Sequence, residues 1–178
     1  MKIIVLKGSP NRHGSSNLLA DNFIMGAKEA GHDVEDIDAA HANIKPCIGC
    51  LNCGYEGECA LSDDMDVIRE KIIGADMLVF ATPLYYWGMT AQLKTLVDRF
   101  CSRNFTLQTR HLKSALLTVA YNSDDWTFDS LEAHYDTLVR YLNFDDCGRI
   151  LGYACGSPSM TSNSKYPKDA YELGKSLK

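Results

Sequence analysis

No stretch of the sequence approaches the roughly 20 consecutive apolar residues of a membrane-spanning helix, so no membrane association is expected. Basic residues are not in excess either: 18 Lys and Arg stand against 23 Asp and Glu, a net charge of −5. That balance leaves no electrostatic footprint for nucleic acid or anionic lipid. The apolar run Ile3–Leu6 is too short for the hydrophobic region of a signal peptide and is stopped by Gly8-Ser9-Pro10. A cytoplasmic protein is therefore expected, in a compartment where its seven cysteines stay out of disulfides. The five histidines form no H-E-x-x-H pair, and G-x-S-x-G is absent, which removes zincin and acyl-transfer chemistry. Asp63-Asp64 and Asp124-Asp125 read as helix-start and loop charges rather than paired catalytic carboxylates.

What remains is a globular composition, 46% hydrophobic and 23% charged, at a length that suits one domain over residues 1–178. Short apolar runs alternate with longer helical ones. Strands are predicted over Lys2–Lys7, Asp33–Asp38, Asp76–Thr82, Ser114–Tyr121 and Gly148–Ala154. The first, third and fourth are almost continuously apolar, as befits parallel strands covered on both faces, and the polar second suits an edge. Five helices are predicted between and after them. One carries the stripe Leu19, Phe23, Ala27 and Ala30, with Gly31 as its stop. A second carries Met65, Ile68 and Ile72, with Ser62 or Asp63 as N-cap. The others carry Leu93–Phe100, Leu131–Leu142 and Lys168–Leu177. This alternation predicts a doubly wound α/β domain of the flavodoxin-like kind, a five-stranded parallel sheet in the order 2-1-3-4-5 with helices on both faces. Ligands in such sheets bind in the crevice between strands 1 and 3.

Two unusual loops border that crevice. The first, Gly8-Ser9-Pro10-Asn11-Arg12-His13-Gly14-Ser15-Ser16-Asn17, opens a helix. Taken alone it is a Gly/Ser turn with a serine N-cap. Placed after strand 1, its free N–H groups, its hydroxyls, Asn17 and the charge of Arg12 suit a phosphate monoester. Gly8 to Gly14 fits neither G-x-G-x-x-G nor G-x-x-x-x-G-K-[ST], so a terminal phosphate such as that of FMN fits better than a dinucleotide or a nucleoside triphosphate. The second loop runs through Pro83, Leu84, Tyr85, Tyr86, Trp87 and Gly88. Three successive aromatics on a strand-to-helix turn cannot all face the core. A flat isoalloxazine would use those rings, while Gly88 would allow close approach. The alternative is that Tyr85 and Trp87 only pack over a helix.

The remaining motif is the C-x₂-C-x₂-C-x₅-C array of Cys47, Cys50, Cys53 and Cys59. Four thiolates so close together can wrap a soft-metal centre. Zinc is the weaker candidate, since four-cysteine zinc sites usually divide into two separated knuckles. Cys101, Cys147 and Cys155 read as ordinary small buried residues.

At Gly8–Ser16, Pro46–Met65 and Thr82–Asp98 the chain resembles the flavodoxin-like NAD(P)H-dependent FMN reductases and the related iron–sulfur flavoproteins. The resemblance covers essentially the whole chain. It implies FMN held by Ser9, Asn11, Arg12, Ser15, Ser16, Asn17 and Pro83–Gly88, with Asn122 and Ser123 on a third flavin-side loop. It also implies that Cys47, Cys50, Cys53 and Cys59 hold a 4Fe–4S cluster, although related reductases keep some of these cysteines without metal. Asn11 stands where the family usually has Arg, with Arg12 beside it, and Ser15 replaces a common Asn. The implied activity is electron transfer from NAD(P)H through FMN to a small-molecule acceptor such as a quinone, a free flavin, or a nitro or azo compound. No side chain is expected to act as catalytic acid or base. The alternative is an iron–sulfur flavoprotein that carries electrons from a ferredoxin-like partner through the cluster to FMN. A flavin-free regulatory or scaffolding protein is the third reading. A homodimer or homotetramer is expected, because no dinucleotide fingerprint exists and the nicotinamide must dock on an exposed flavin face.

Overall fold

A computed structural model describes all 178 residues. Strands β1 (Lys2–Lys7), β2 (Asp33–Asp38), β3 (Met77–Pro83), β4 (Lys113–Val119) and β5 (Asp145–Gly152) form one parallel sheet. Their order is 2-1-3-4-5, with the polar β2 at an edge as its sequence predicts. Alternate residues of the central strands feed separate cores. Ile3, Val5 and Val79 pack with Leu19, Phe23 and Ala27 on one face, while Ile4, Leu6 and Phe80 pack with Met65, Leu93, Leu131 and Tyr135 on the other. Burial on both faces is why these strands lack the in-out alternation of a half-exposed sheet.

Seven α-helices surround the sheet, against five predicted: α1 (Ser15–Glu29), α2 (Met65–Ile73), α3 (Ala91–Asp98), α4 (Asn104–Arg110), α5 (Asp129–Leu142), α6 (Pro158–Ser162) and α7 (Tyr166–Ser176). The predicted third helix in fact ends at Asp98 and tightens into a 3₁₀ helix, Arg99–Arg103, before α4 begins. The short α6 starts with the Ser157 side chain accepting a hydrogen bond from the Met160 N–H and Pro158 in the first turn. Ala30 falls outside α1 as its exposed C-cap, followed by Gly31 at φ +85°. Strand β5 begins three residues earlier than predicted. Gly148 at φ +143° absorbs a register shift there, so that the strand continues through a bulge against Ser114–Leu116. No helix is long and apolar enough to cross a membrane.

The helix that opens the first loop is held from behind by α7. Two glycines let their backbones meet: a Cβ on Gly174 would lie 2.3 Å from the Phe23 carbonyl oxygen, and one on Gly26 would lie 2.0 Å from that of Tyr171. Lys175 closes the contact through an ion pair with Glu29 at 2.8 Å. Gly174→Ala should therefore force α7 off α1 and destabilise the protein by about 1–3 kcal/mol, the usual cost of overpacking. Thermal denaturation of the variant against the parent protein checks this.

Candidate functional site

The loops after β1, β3, β4 and β5 meet at the carboxyl ends of the strands and enclose a crevice of about 220 Å³. Ser9, Asn11, Gly14 and Ser15 line one end, Pro83, Leu84 and Tyr85 the middle, and Tyr121, Cys155 and Gly156 the far side. A second cleft of about 220 Å³ continues from it between Tyr86, Trp87, Asn122 and Thr127, sharing Leu84, Ala120 and Tyr121 with the first.

At the first loop, the chain folds on itself before α1 starts. The Ser9 hydroxyl donates to the Asn11 carbonyl and accepts from the Asn11 N–H, at 3.1 and 3.2 Å. The Asn17 amide donates to the carbonyls of Asn11 and Arg12. Gly14 leaves room that a Cβ would fill, since that atom would stand 2.9 Å from both the Asn11 oxygen and Ser9 Oγ. The first-turn N–H groups of Ser15, Ser16 and Asn17 receive no acceptor from the protein. Ser16 Oγ and Asn17 Oδ1 are buried in the same turn without a partner. Buried polar atoms are seldom left unpaired, so this set fits an oxygen-rich anion placed against the helix start. Arg12 is not drawn in: it is exposed and lies 3.6 Å from Asp38 on the β2 side.

At the second loop, Tyr85 and Gly88 exchange backbone hydrogen bonds at 3.0 and 3.1 Å, closing a two-residue turn. Tyr86 and Trp87 both occupy the left-handed region, at φ +46° and +60°. Bulky residues seldom do so, and each costs roughly 1–2 kcal/mol there. The rings point outward as a result, with Tyr86 97% and Trp87 43% exposed. Trp87 is not a core residue; it stacks on Trp126 at 5.7 Å between centroids. Gly88 does not take the positive φ, and a Cβ there would meet nothing nearer than the Tyr85 oxygen at 3.9 Å.

Asn122 reaches the cleft, but Ser123 is exposed and does not line it. The Ser123 N–H instead donates to the Asn122 side-chain Oδ1 in a local turn. Two threonines escaped the sequence reading. Thr127 lines the cleft with its hydroxyl fully buried and unpartnered. Thr90 ties the loops together, as its N–H donates to Thr82 Oγ1 at 3.1 Å and its hydroxyl to the Gly8 carbonyl at 2.7 Å. Its place ahead of Ala91-Gln92-Leu93 was a legible N-cap signal, and its oxygen does accept from the Leu93 N–H.

The cysteine array lies between β2 and α2. Cys47, Cys50, Cys53 and Cys59 line one small cavity of about 30 Å³, walled by Ile48, Leu51 and Leu61. Cys47 and Cys50 are exposed, Cys53 and Cys59 half-buried, and no three of these side chains converge closely enough to hold a metal ion as they stand. Cys101 is not an ordinary buried residue, for it joins the same cavity from the 3₁₀ helix. Burial, together with the neighbouring Cys53 and Cys47, pushes its thiol above the usual value. Five thiols and apolar walls make a donor set suited to soft metal.

Asp63 also departs from its reading as a helix-start charge. Its carboxylate is fully buried and pairs with Arg99 at 2.7 Å, while Asp64 takes the N-cap position of α2 without a side-chain capping bond. Burial raises the Asp63 pKa, but the Arg99 hydrogen bond and the N–H groups of Lys45 and Met65 bring it below the ordinary carboxylate value. Arg99 donates further to the carbonyls of Lys45 at 2.8 Å and Leu61 at 3.1 Å, so one guanidinium holds both ends of the cysteine loop.

A family model described as NADPH-dependent FMN reductase matches residues 1–127. An iron–sulfur flavoprotein of Methanocaldococcus jannaschii is 40% identical over 99 residues, 56% of this chain and 51% of that protein. A Bacillus subtilis protein provisionally named an NAD(P)H-dependent FMN-containing oxidoreductase is 35% identical over 100 residues, 56% of this chain and 52% of that protein. The matched stretch thus spans about half the length of these curated relatives. Among solved structures, an NAD(P)H:quinone oxidoreductase from Methanothermobacter marburgensis superposes with a TM-score of 0.79 at 20% identity. That match covers 100% of this chain and 96% of the other, and it shows a shared fold.

The exposure of Trp87 predicts a mild effect of its removal. Trp87→Ala should lose the stack on Trp126 at a cost of about 0.5–1.5 kcal/mol, well short of the roughly 3–5 kcal/mol of a core tryptophan. Chemical denaturation monitored by circular dichroism distinguishes the two.

Proposed function

The chain belongs to the NADPH-dependent FMN reductase family, and from that membership we propose that it is an FMN-dependent oxidoreductase passing electrons from NAD(P)H to a small acceptor. The observation that carries this reading is the unpartnered first turn of α1, with Ser16 Oγ buried beside three free N–H groups, opening onto an aromatic cleft. FMN, when bound, would supply the redox chemistry by taking up a hydride and giving up electrons to the acceptor. The protein's part is to bind and orient. Ser15, Ser16 and the helix-start amides would hold the phosphate, with Ser9, Asn11 and Asn17 shaping the loop around it. Pro83–Gly88, Asn122 and the Thr127 hydroxyl would border the ring, while Trp87 and Trp126 would shield one side of it. No acid or base is assigned to a side chain. The nicotinamide would dock on the exposed aromatic face in a cleft completed by a second subunit, in a homodimer or homotetramer in the cytoplasm.

The cysteine cavity favours a second reading, an iron–sulfur flavoprotein with a 4Fe–4S cluster on Cys47, Cys50, Cys53 and Cys59. Bound there, the cluster would supply single electrons, with a ferredoxin-like donor as the partner. The thiols need only close inward from the exposed side, where Gly49 at φ +66° and Gly54 at φ +53° allow the chain to turn.

Three measurements test these readings. Ser16→Ala should weaken FMN at least tenfold, since a hydrogen bond to a charged group is worth about 1.5–3 kcal/mol, while riboflavin affinity stays unchanged. Equal affinity of the parent protein for riboflavin and FMN would overturn the phosphate cradle. Anaerobic reconstitution should give about four irons per chain, impaired by Cys50→Ser or Cys53→Ser with FMN retained. Stopped-flow mixing with NADH and NADPH should bleach the flavin. Failure of both, with reduced ferredoxin succeeding, would select the second reading.

A further inference from the structure

The cavity of thiols has one charged wall. Arg99 alone among its lining residues carries a permanent charge, and only 1% of the residue is exposed. Its two terminal nitrogens are committed: one donates to Asp63 and the Lys45 carbonyl, the other to the Leu61 carbonyl. The third nitrogen, Nε, is buried and has no acceptor. A donor on a charged group, shut away from water, is costly to leave unpaired. Arg103 and Arg69 pair with Glu58 and do not line the cavity.

Asp63 balances the charge of Arg99, but only Arg99 of the two is among the residues that line the cavity. Of the pair, Arg99 is therefore the member that stands beside Cys59. Packing fixes that orientation, since three hydrogen bonds hold the guanidinium plane. A lysine could not reproduce this, because an ammonium lacks the planar fork that serves three acceptors and still has a donor left.

We propose that Arg99 is the charge-setting residue of the cysteine cavity, its free Nε–H donating to a sulfur of the iron–sulfur centre held there and thereby raising that centre's reduction potential. The inference rests on the cluster reading given above and goes beyond it by assigning the group that tunes the cluster. The physical cause is simple. Reduction adds one negative charge to an already anionic centre, and a fixed positive end in a poorly screened interior stabilises the reduced form more than the oxidised one. Arg99 is a positioning residue in this role and exchanges neither electrons nor protons.

The experiment is a redox titration with dithionite, followed by electron paramagnetic resonance, on anaerobically reconstituted parent protein and two variants. Asp63→Asn with Arg99→Gln removes both charges together and leaves no orphaned carboxylate. Arg99→Lys keeps the ion pair and removes the Nε–H. Circular dichroism and iron content are measured on each. At the parent's midpoint potential, the double variant should show a reduced-to-oxidised ratio at least tenfold lower, a shift of at least about 59 mV for one electron. Arg99→Lys should move the same way by less, and it decides the question if the double variant does not fold. A parent protein that takes up no iron overturns the cluster reading and this proposal with it. A cluster in the parent with an unchanged potential in Arg99→Lys and the double variant overturns the proposal alone. So does loss of iron from both folded variants, because Arg99 would then only brace the loop.

Discussion

The carboxyl edge of the sheet depends on one buried hydroxyl. Thr90 donates to the carbonyl of Gly8, the first residue beyond β1, and its backbone N–H binds Thr82 near the end of β3. The two loops that flank the crevice are thus fastened to each other as well as to their strands. Gly8 makes this possible, since a Cβ there would stand 2.7 Å from Leu93 Cβ and 3.0 Å from Thr90 Oγ1. With the loops fixed, the helix-start amides and the aromatic turn keep one separation, and a ligand spanning both meets a prepared surface rather than two mobile segments.

A second fixed point lies at the other end of α3. The Asp63–Arg99 pair is fully buried and hydrogen-bonded to backbone on both partners. Such pairs contribute less net stability than their distance suggests, because both charges must leave water. Their clearer effect is on specificity of structure. The loop from Lys45 to Asp63 has no regular secondary structure, yet its two ends are held by one guanidinium. That anchor fixes the loop's ends, while hydrogen bonds from Arg103, Asn104 and Thr106 to Tyr55, Glu56 and Glu58 hold its middle.

Much of this was legible in the residues. Strand β1 and strand β2 follow their patterns to the residue, and the neighbouring positions of β1 and β3 follow from the alternation of elements. The switch-point loops were recognisable because glycines, hydroxyls and consecutive aromatics sit where strands end. The less legible parts are those made by distant pairing. Asp98-Arg99 looks like surface charge at a helix end, and only the tertiary fold sends Arg99 inward to Asp63. Cys101 lies 42 residues beyond Cys59, so no spacing rule joins it to the array. Arg12 was legible as a charge near a phosphate loop, but Asp38 on the neighbouring strand competes for it. Positive φ at Tyr86 and Trp87 contradicts local preference, as expected where a turn serves a site rather than its own stability.

The contact between α1 and α7 carries a consequence for the order of assembly. Gly26 and Gly174 stand in one close interface but are separated by almost the whole chain. During synthesis, at roughly 5–20 residues per second, the segment around Gly8–Asn17 emerges well before the helix that backs it. Contacts of such sequence separation form late, because a large loop must close before they are rewarded. The first loop is therefore made early and braced late. Until α7 is in place the Gly26 side of α1 has no partner, although its apolar stripe is already covered by the sheet.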